Sequence, residues 1–267
     1  MTFEEITSRE NSLLKHARKV RDGKVEESIF VEGLRLCEEA LESNLSIEAV
    51  LVSDELAKKL RARKLLDRFE ELGTRICLIS ESLLGSISYT KTPQGIVLLA
   101  ARPTMNEAAF KARQPSSPLV VVMHGVNNPV NVGAILRTAE AAGVTGVITT
   151  RITSDPFSPK SLRGSMGSAF RLPVWTKATY AEVVDWCQPN QIKIVCTDVG
   201  GKTHYADVDW KGPSALVMGP ESDGLDDEDF YAADLVVRIP MQGSVESLNV
   251  GAAAAVVLYE AARQRRS

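Results

Sequence analysis

Cysteine is scarce in this chain, and what there is does not pair. Cys37, Cys77, Cys187 and Cys196 show no repeated spacing, which excludes a disulfide scaffold and reads as reduced, mostly buried thiols of the cytosol. Histidine is scarcer still: His16, His124 and His204 are scattered, so no metal site is expected. No apolar run approaches the roughly 20 residues of a membrane span. The opening MTFEEITSRE is charged and polar, so neither a membrane helix nor a secretory leader is expected, and the reading is cytoplasmic. An excess of positive charge is also missing. Lys and Arg number 31 against 34 Asp and Glu, a net charge of −3. A globally basic nucleic-acid-binding domain is thereby excluded, and any RNA site has to be a local patch. There is no G-x-G-x-x-G, so a dinucleotide site is unsupported. GGKT at residues 200–203 imitates the end of a P-loop, but the loop's first glycine would fall on Cys196. The following HYADVDWKGPS, with Pro213, offers no helix. Internal repeats and low-complexity tracts are lacking as well.

What is present is enough for two domains: 267 residues, 44% of them apolar. Residues 1–100 read as a small α/β unit. SLLKHARKVRDGK is a basic helical stretch, and FVEGLRLCEEALES has a helical period at Leu34, Cys37, Ala40 and Leu41. EAVLVS, RICLIS and GIVLLA read as strands, and ELAKKLRARKLLDRFEELG as a charged helix closed by Gly73. Lys58, Lys59, Arg61, Arg63 and Lys64 form the densest basic run; a solvated helix face explains it, and an RNA phosphate contact is the sharper reading. Residues 101–117, bracketed by Pro103 and Pro115, read as a linker. From 118 to 267 strands alternate with helices, beginning with PLVVVM, a run typical of a strand buried on both faces. That alternation argues a parallel sheet covered by helices.

Three polar loops follow strands in this second part. NNPVNVGAILRTAEAAGV at residues 127–144 has Asn131 poised to cap a helix over roughly 133–142, and Arg137 on an otherwise small, apolar helix. LVMGPESDGLDDE at residues 216–228 ends a buried strand in Gly219 and Pro220, followed at once by Glu221. IPMQGSVESLNVGAAAAVVLYE at residues 239–260 breaks a strand at Pro240 and opens a small-residue helix near Ser247 and Asn249. An N-capped, tightly packed helix would account for the last stretch alone. Three such loops on one sheet edge mark the crevice where open α/β sheets bind ligands. The polar kit is Asn131, Arg137, Glu221, Ser247 and Asn249, and from pattern alone it names no substrate.

Together these loops resemble the three motifs of the SpoU/TrmH family of RNA ribose 2′-O-methyltransferases. Asn131-Val132-Gly133 with Arg137 is similar to the first motif, Gly219 through Leu225 to the second, and Ile239 to Met241 with Ser247 to Val250 to the third. SPKSLRGSMGSAFRLPV resembles the family's connecting segment. Val31-Glu32-Gly33 and TPQGIV at residues 92–97 resemble its ribosomal-protein-like RNA-binding domain. Three departures stand out: Pro220 where Asn is usual, Gly251-Ala252 where Ser-Val is usual, and Gly164 where Ala is usual.

The resemblance implies a SPOUT-type α/β fold: a parallel sheet with a deep C-terminal trefoil knot, plus the smaller N-terminal RNA-binding domain. It implies a homodimer and S-adenosylmethionine as methyl donor. Gly219, Ile239, Met241 and Leu248 would hold the cofactor, with Thr197 at another strand end as a further candidate. Arg137 would activate the ribose hydroxyl, Glu221 would hold Arg137, and Asn131, Ser247 and Asn249 would position ribose, cofactor and loops. Arg163, Lys58, Lys59 and Arg61 would contact RNA. Large-subunit (23S) rRNA is the expected substrate. A tRNA enzyme and a non-catalytic ribosome-assembly factor are the alternatives.

Overall fold

The computed structural model describes residues 3–103, 105–220 and 224–266. The chain divides into two compact units, Met1–Pro103 with Phe157–Phe170, and Thr104–Pro156 with Arg171–Ser267.

The first unit runs β1 (Glu4–Ile6), α1 (Ser12–Arg21), β2 (Ser28–Glu32), α2 (Leu34–Glu42), β3 (Ile47–Ser53), α3 (Asp54–Ala57), α4 (Leu60–Glu71), β4 (Ile76–Ile79), α5 (Glu81–Ile87) and β5 (Ile96–Ala101). Its sheet has the order β1-β4-β3-β5-β2. β4 is parallel to β1 and β3, while β5 is antiparallel to β3 and β2. Helix signals are local and clear: Asn11 caps α1 by accepting from Leu13 N at 2.8 Å, and Leu13, Leu14, Ala17 and Val20 bury one face. The run FVEGLRL holds a strand before its helix. Gly33, at φ +105°, makes the junction in a conformation that glycine adopts without steric cost.

The second unit runs α6 (Glu107–Ala112), β6 (Leu119–Met123), α7 (Pro129–Ala141) and β7 (Gly146–Thr150). After α8 (Pro159–Ser165) and α9 (Ser168–Arg171) it continues with β8 (Val174–Ala178), α10 (Tyr180–Cys187), β9 (Lys193–Thr197), β10 (Thr203–His204), β11 (Ser214–Met218), α11 (Asp227–Tyr231), β12 (Leu235–Arg238) and α12 (Val250–Arg265). The seven strands pair in the order β10-β12-β9-β11-β6-β7-β8, every pairing parallel. All residues of β6 and β11 are buried, as continuous apolar runs in a sheet covered on both faces require.

Two boundaries differ from the sequence partition. The stretch 101–117, read as a linker, holds α6 (Glu107–Ala112), whose Phe110 enters the core between Trp175 and Trp186 at centroid distances of 5.9 and 5.6 Å. A Cβ on Gly146 would lie 2.6 Å from that phenyl ring, so β7 must begin with glycine. The segment Phe157–Phe170, read as part of the second domain, groups with the first unit: α8 packs on β2, and the Arg102 guanidinium lies 4.8 Å from the Phe157 ring centroid.

The C-terminal end of α12 is anchored by one side chain. Arg265 donates to the carbonyls of Trp210, Ser117, Pro118 and Gly212 at 2.7, 2.9, 3.1 and 2.5 Å. Arg265→Ala is expected to cost about 2–4 kcal/mol, because charged hydrogen bonds are lost and partly buried carbonyls are left short of a donor. Urea denaturation should show a lower midpoint at an unchanged slope, whereas an unmoved midpoint would refute the anchor.

Candidate functional site

The parallel strands β9, β11 and β12 end side by side at Thr197, Met218 and Arg238. Beyond their carboxyl ends lies a cavity of about 310 Å³. Its lining brings together Thr197, Gly219, Ile239, Met241, Ser247 and Leu248, six residues that the sequence marks out from three separate stretches. Thr197 Oγ1 donates to the Val217 carbonyl at 3.3 Å, which fixes that strand end. Gly219 has to be glycine, because a Cβ there would sit 2.9 Å from the Leu225 side chain folded against it. Among the described residues, the charged ones that line it are Asp198 and Glu246, both acids, and no Lys, Arg or His borders the space. The sequence reading missed both acids. Asp198 directly follows the apolar run IKIVCT, and that strand-end position is the only signal it carries.

The asparagines occupy other places than expected. Asn128, not Asn131, caps α7, accepting from Val130 N at 3.0 Å, with Pro129 in the first turn. The helix therefore starts four residues earlier than the sequence reading put it, and Asn131 lies inside it, only 7% exposed. Its Oδ1 accepts from Asn249 Nδ2 at 3.1 Å. Asn249 caps α12 in turn: its Oδ1 accepts from Gly251 N at 3.0 Å and Ala252 N at 3.3 Å. α12 thus begins at Val250, and Ser247 precedes it in the cavity wall. The paired asparagines tie the N-terminal turns of α7 and α12 together, where a Cβ on Gly251 would meet Ala134 Cβ at 3.5 Å. The small face of α12 is used, at least in part, within its own chain.

Arg137 lies one turn beyond Ala134 on α7, exposed, and it does not line the cavity of its own chain. Among the described residues none hydrogen-bonds or ion-pairs with it. Glu221 lies outside the described residues. In the first unit, Lys58 and Lys59 are exposed between α3 and α4, and no described acid pairs with them. Arg61 differs: Glu38 holds it through two contacts, Nε–Oε1 at 2.8 Å and Nη2–Oε2 at 2.5 Å. The hydrogen bonds from Arg61 keep the Glu38 carboxyl below its ordinary range. Arg63 faces Asp67, so the two arginines of the basic run are matched by acid, as is Arg68 beyond it by Glu42. Arg163 is exposed on α8. Cys37, Cys77, Cys187 and Cys196 are free and buried. Among the described residues no helix is long and apolar enough to cross a membrane.

Known proteins share both parts of the chain. Residues 118–259 match the SpoU rRNA Methylase family, and residues 9–98 match the MRM3-like substrate binding domain. The 23S rRNA (guanosine(2553)-2′-O)-methyltransferase RlmP of Bacillus subtilis (strain 168) is 30% identical over 96% of this chain and 98% of its own length. Among solved structures, an AdoMet-bound rRNA methyltransferase from Sinorhizobium meliloti superposes with a TM-score of 0.85 at 28% identity, over 98% of each chain. The SpoU methyltransferase AviRb from Streptomyces viridochromogenes, in complex with the cofactor AdoMet, gives a TM-score of 0.84 at 30% identity, over 96% of this chain and 99% of that one.

Proposed function

Because the chain belongs to the SpoU rRNA methylase family, we propose that it transfers a methyl group from S-adenosylmethionine to a ribose 2′-hydroxyl of 23S rRNA. The observation that carries this reading is the cavity at the ends of β9, β11 and β12. Its volume of about 310 Å³ falls in the range of small-molecule sites, roughly 300–1,000 Å³. Among the described residues its charged lining is Asp198 and Glu246 without a basic side chain, which suits a cationic ligand and opposes a phosphate-bearing one. The residues present therefore fit the donor. When bound, S-adenosylmethionine supplies an electrophilic methyl group on a positively charged sulfur. Gly219, Ile239, Met241 and Leu248 would hold it, with Thr197 at the edge.

The 2′-hydroxyl must shed its proton as it attacks, and negative charge builds on its oxygen. Arg137 carries the group suited to stabilise that charge. A guanidinium stays protonated in proteins, so it acts as a fixed positive donor to the developing alkoxide and not as a base. Ser247, Asn131 and Asn249 act on position. Ser247 belongs to the cavity wall, and the asparagine pair sets where that wall meets α7. Glu221 is assigned to holding Arg137. Since Arg137 stands outside its own chain's cavity, a homodimer in which it serves the partner's cavity fits this reading, as does a trefoil knot in the C-terminal segment. RNA contacts are assigned to Lys58, Lys59, Arg61 and Arg163. Recruiting Arg61 means exchanging an exposed ion pair worth about 0–1 kcal/mol for a phosphate. An enzyme of this kind meets its ribosomal substrate in the cytoplasm.

The test uses methyl-labelled S-adenosylmethionine with total RNA from a strain lacking the gene. Label is expected in 23S rRNA, within a dinucleotide that resists alkali, because a methylated 2′-oxygen cannot attack its neighbouring phosphate. Label confined to tRNA would move the substrate. Absence of label together with absence of S-adenosylmethionine binding would overturn the activity.

A further inference from the structure

The carboxylate of Glu32, at the end of β2, is committed to one short loop. Residues 88–94, between α5 and β5, turn around it. Its Oε2 accepts from Tyr89 N at 2.9 Å and Thr90 N at 3.2 Å, and its Oε1 accepts from Ser88 Oγ and, at 2.7 Å, from Thr90 Oγ1. Arg21 of α1 holds the chain where it leaves α5, its Nη1 lying 3.4, 3.2 and 3.4 Å from the carbonyls of Ser86, Ile87 and Ser88. Gly95 closes the loop. A Cβ there would lie 2.8 Å from Leu56 of α3, and its carbonyl accepts from Ser53 N at 2.9 Å. Surface loops are ordinarily the mobile parts of a fold; this one is tied at both ends and in its middle.

What the loop presents is Tyr89, whose side of the chain stays 44% exposed although its backbone N–H is held by Glu32. Lys91 follows two residues on, exposed, and no described acid pairs with it. β5 runs antiparallel to both β2 and β3, so its first residues meet the last residues of each: Ile96 pairs with Val52, and Val97 with Glu32. Lys58 and Lys59, just past α3, therefore stand at the same sheet edge as Tyr89 and Lys91. Of the acids at this edge, Glu32 is taken up by the loop, and Asp54 and Glu55 occupy the other end of α3. An exposed aromatic ring among unpaired lysines suits RNA, because the lysines take phosphates and the ring offers a face on which a base stacks. Bases within an A-form duplex have both faces covered by their neighbours, so one ring on a fixed loop can stack only on an unpaired base.

We propose that the loop 88–94 is an RNA-reading site, in which Tyr89 stacks on an unpaired base of the substrate, Lys91 takes a neighbouring phosphate, and Glu32 is the positioning residue that holds the loop in shape. The proposal rests on the RNA-modifying reading of this chain. Full-length wild type and variants would be titrated by filter binding against an unmodified 23S rRNA transcript and against total tRNA, over a range of salt. On the RNA that wild type binds, Tyr89→Ala and Tyr89→Leu are expected to weaken binding about tenfold. Tyr89→Phe, which keeps the ring, should stay within about twofold of wild type. Lys91→Ala should lower the salt slope by about one. Glu32→Gln, whose amide turns a donor toward the loop's own donors, should weaken binding as Tyr89→Ala does, with S-adenosylhomocysteine binding unchanged. In a Tyr89→Ala background Glu32→Gln should cost nothing further, whereas a merely structural role would add its own loss. Wild-type affinity in Tyr89→Ala would overturn the proposal, and so would wild-type affinity in Tyr89→Leu, since bulk without stacking would then suffice. A loss seen only with intact large ribosomal subunits, and not with naked RNA, would make the surface a protein contact and overturn it likewise. Methyl transfer is scored separately. RNA binding through Tyr89 without transfer would fail the activity alone, transfer with binding indifferent to Tyr89 would fail the loop alone, and a wild type that binds neither RNA would fail both.

Discussion

Arg137→Lys is expected to slow methyl transfer about a hundredfold, equivalent to roughly 2.7 kcal/mol of transition-state stabilisation, while S-adenosylmethionine binds within about twofold of wild type. The substitution keeps the charge and removes the planar fork of donors, so a drop assigns the effect to directed hydrogen bonding and not to net charge. The cofactor side of the expectation follows from geometry. Arg137 is exposed on α7 and does not border the cavity, so its loss should leave the donor's contacts intact. Single-turnover rates at saturating cofactor would separate chemistry from binding. Near-wild-type turnover in the lysine variant would remove Arg137 from the reaction. An equal loss in cofactor affinity and rate would mean that it supports the cavity instead.

A purified heterodimer of one Arg137→Ala chain and one Asn249→Ala chain is expected to recover about half the wild-type rate per dimer, although each parent homodimer is inactive. Asn249 acts on its own chain's cavity. It caps α12, whose Val250 and Ala253 line the space, and it bonds Asn131 across to α7. Removing it should disorder that wall at a cost of about 1 kcal/mol or more. If Arg137 serves the partner's cavity, the heterodimer contains one site with both defects and one with neither. If Arg137 serves its own chain, both sites carry one defect and activity stays absent. Two tags and co-expression give the mixed species, and cofactor binding at one site per dimer provides the control for folding. A folded, cofactor-competent but inactive heterodimer would place Arg137 in its own chain's reaction.

Legibility varied with how local the determining interactions are. The buried strands PLVVVM and ALVMG announced themselves, because a strand covered on both faces must be apolar throughout. So did the strand-to-helix loops after them, because a broken ladder and a new helix each require particular residues. Several elements escaped, α6 in the expected linker and two strands among them. β2 is merged in the sequence with the helical period that follows it, and Gly33 alone marks the change. β10 has two residues, too few for any period. The capping assignment failed for a similar reason: Asn128 and Asn131 are both good caps in isolation. Once Pro129 takes the first turn of α7, Asn131 is carried into the helix, where its polar end can be satisfied by Asn249.

From the sequence alone followed the class of the second unit, the three loops at one sheet edge, and the family that those loops resemble. These depend on residue type and on spacing along the chain. Only the tertiary structure decided that Thr197, Gly219, Ile239, Met241, Ser247 and Leu248 line one cavity together with Asp198 and Glu246. It also decided that Arg61 is matched by Glu38 and that Phe157–Phe170 packs with the first unit. It also placed His124 between β11 and α11, with its N–H donating to the Met218 carbonyl at 2.9 Å and its Nε2 lying 3.3 Å from Asp229 Oδ2. Each of these joins groups far apart in sequence. Their meeting is set by how the strands order themselves and which surfaces are buried, and neither leaves a mark in the local pattern.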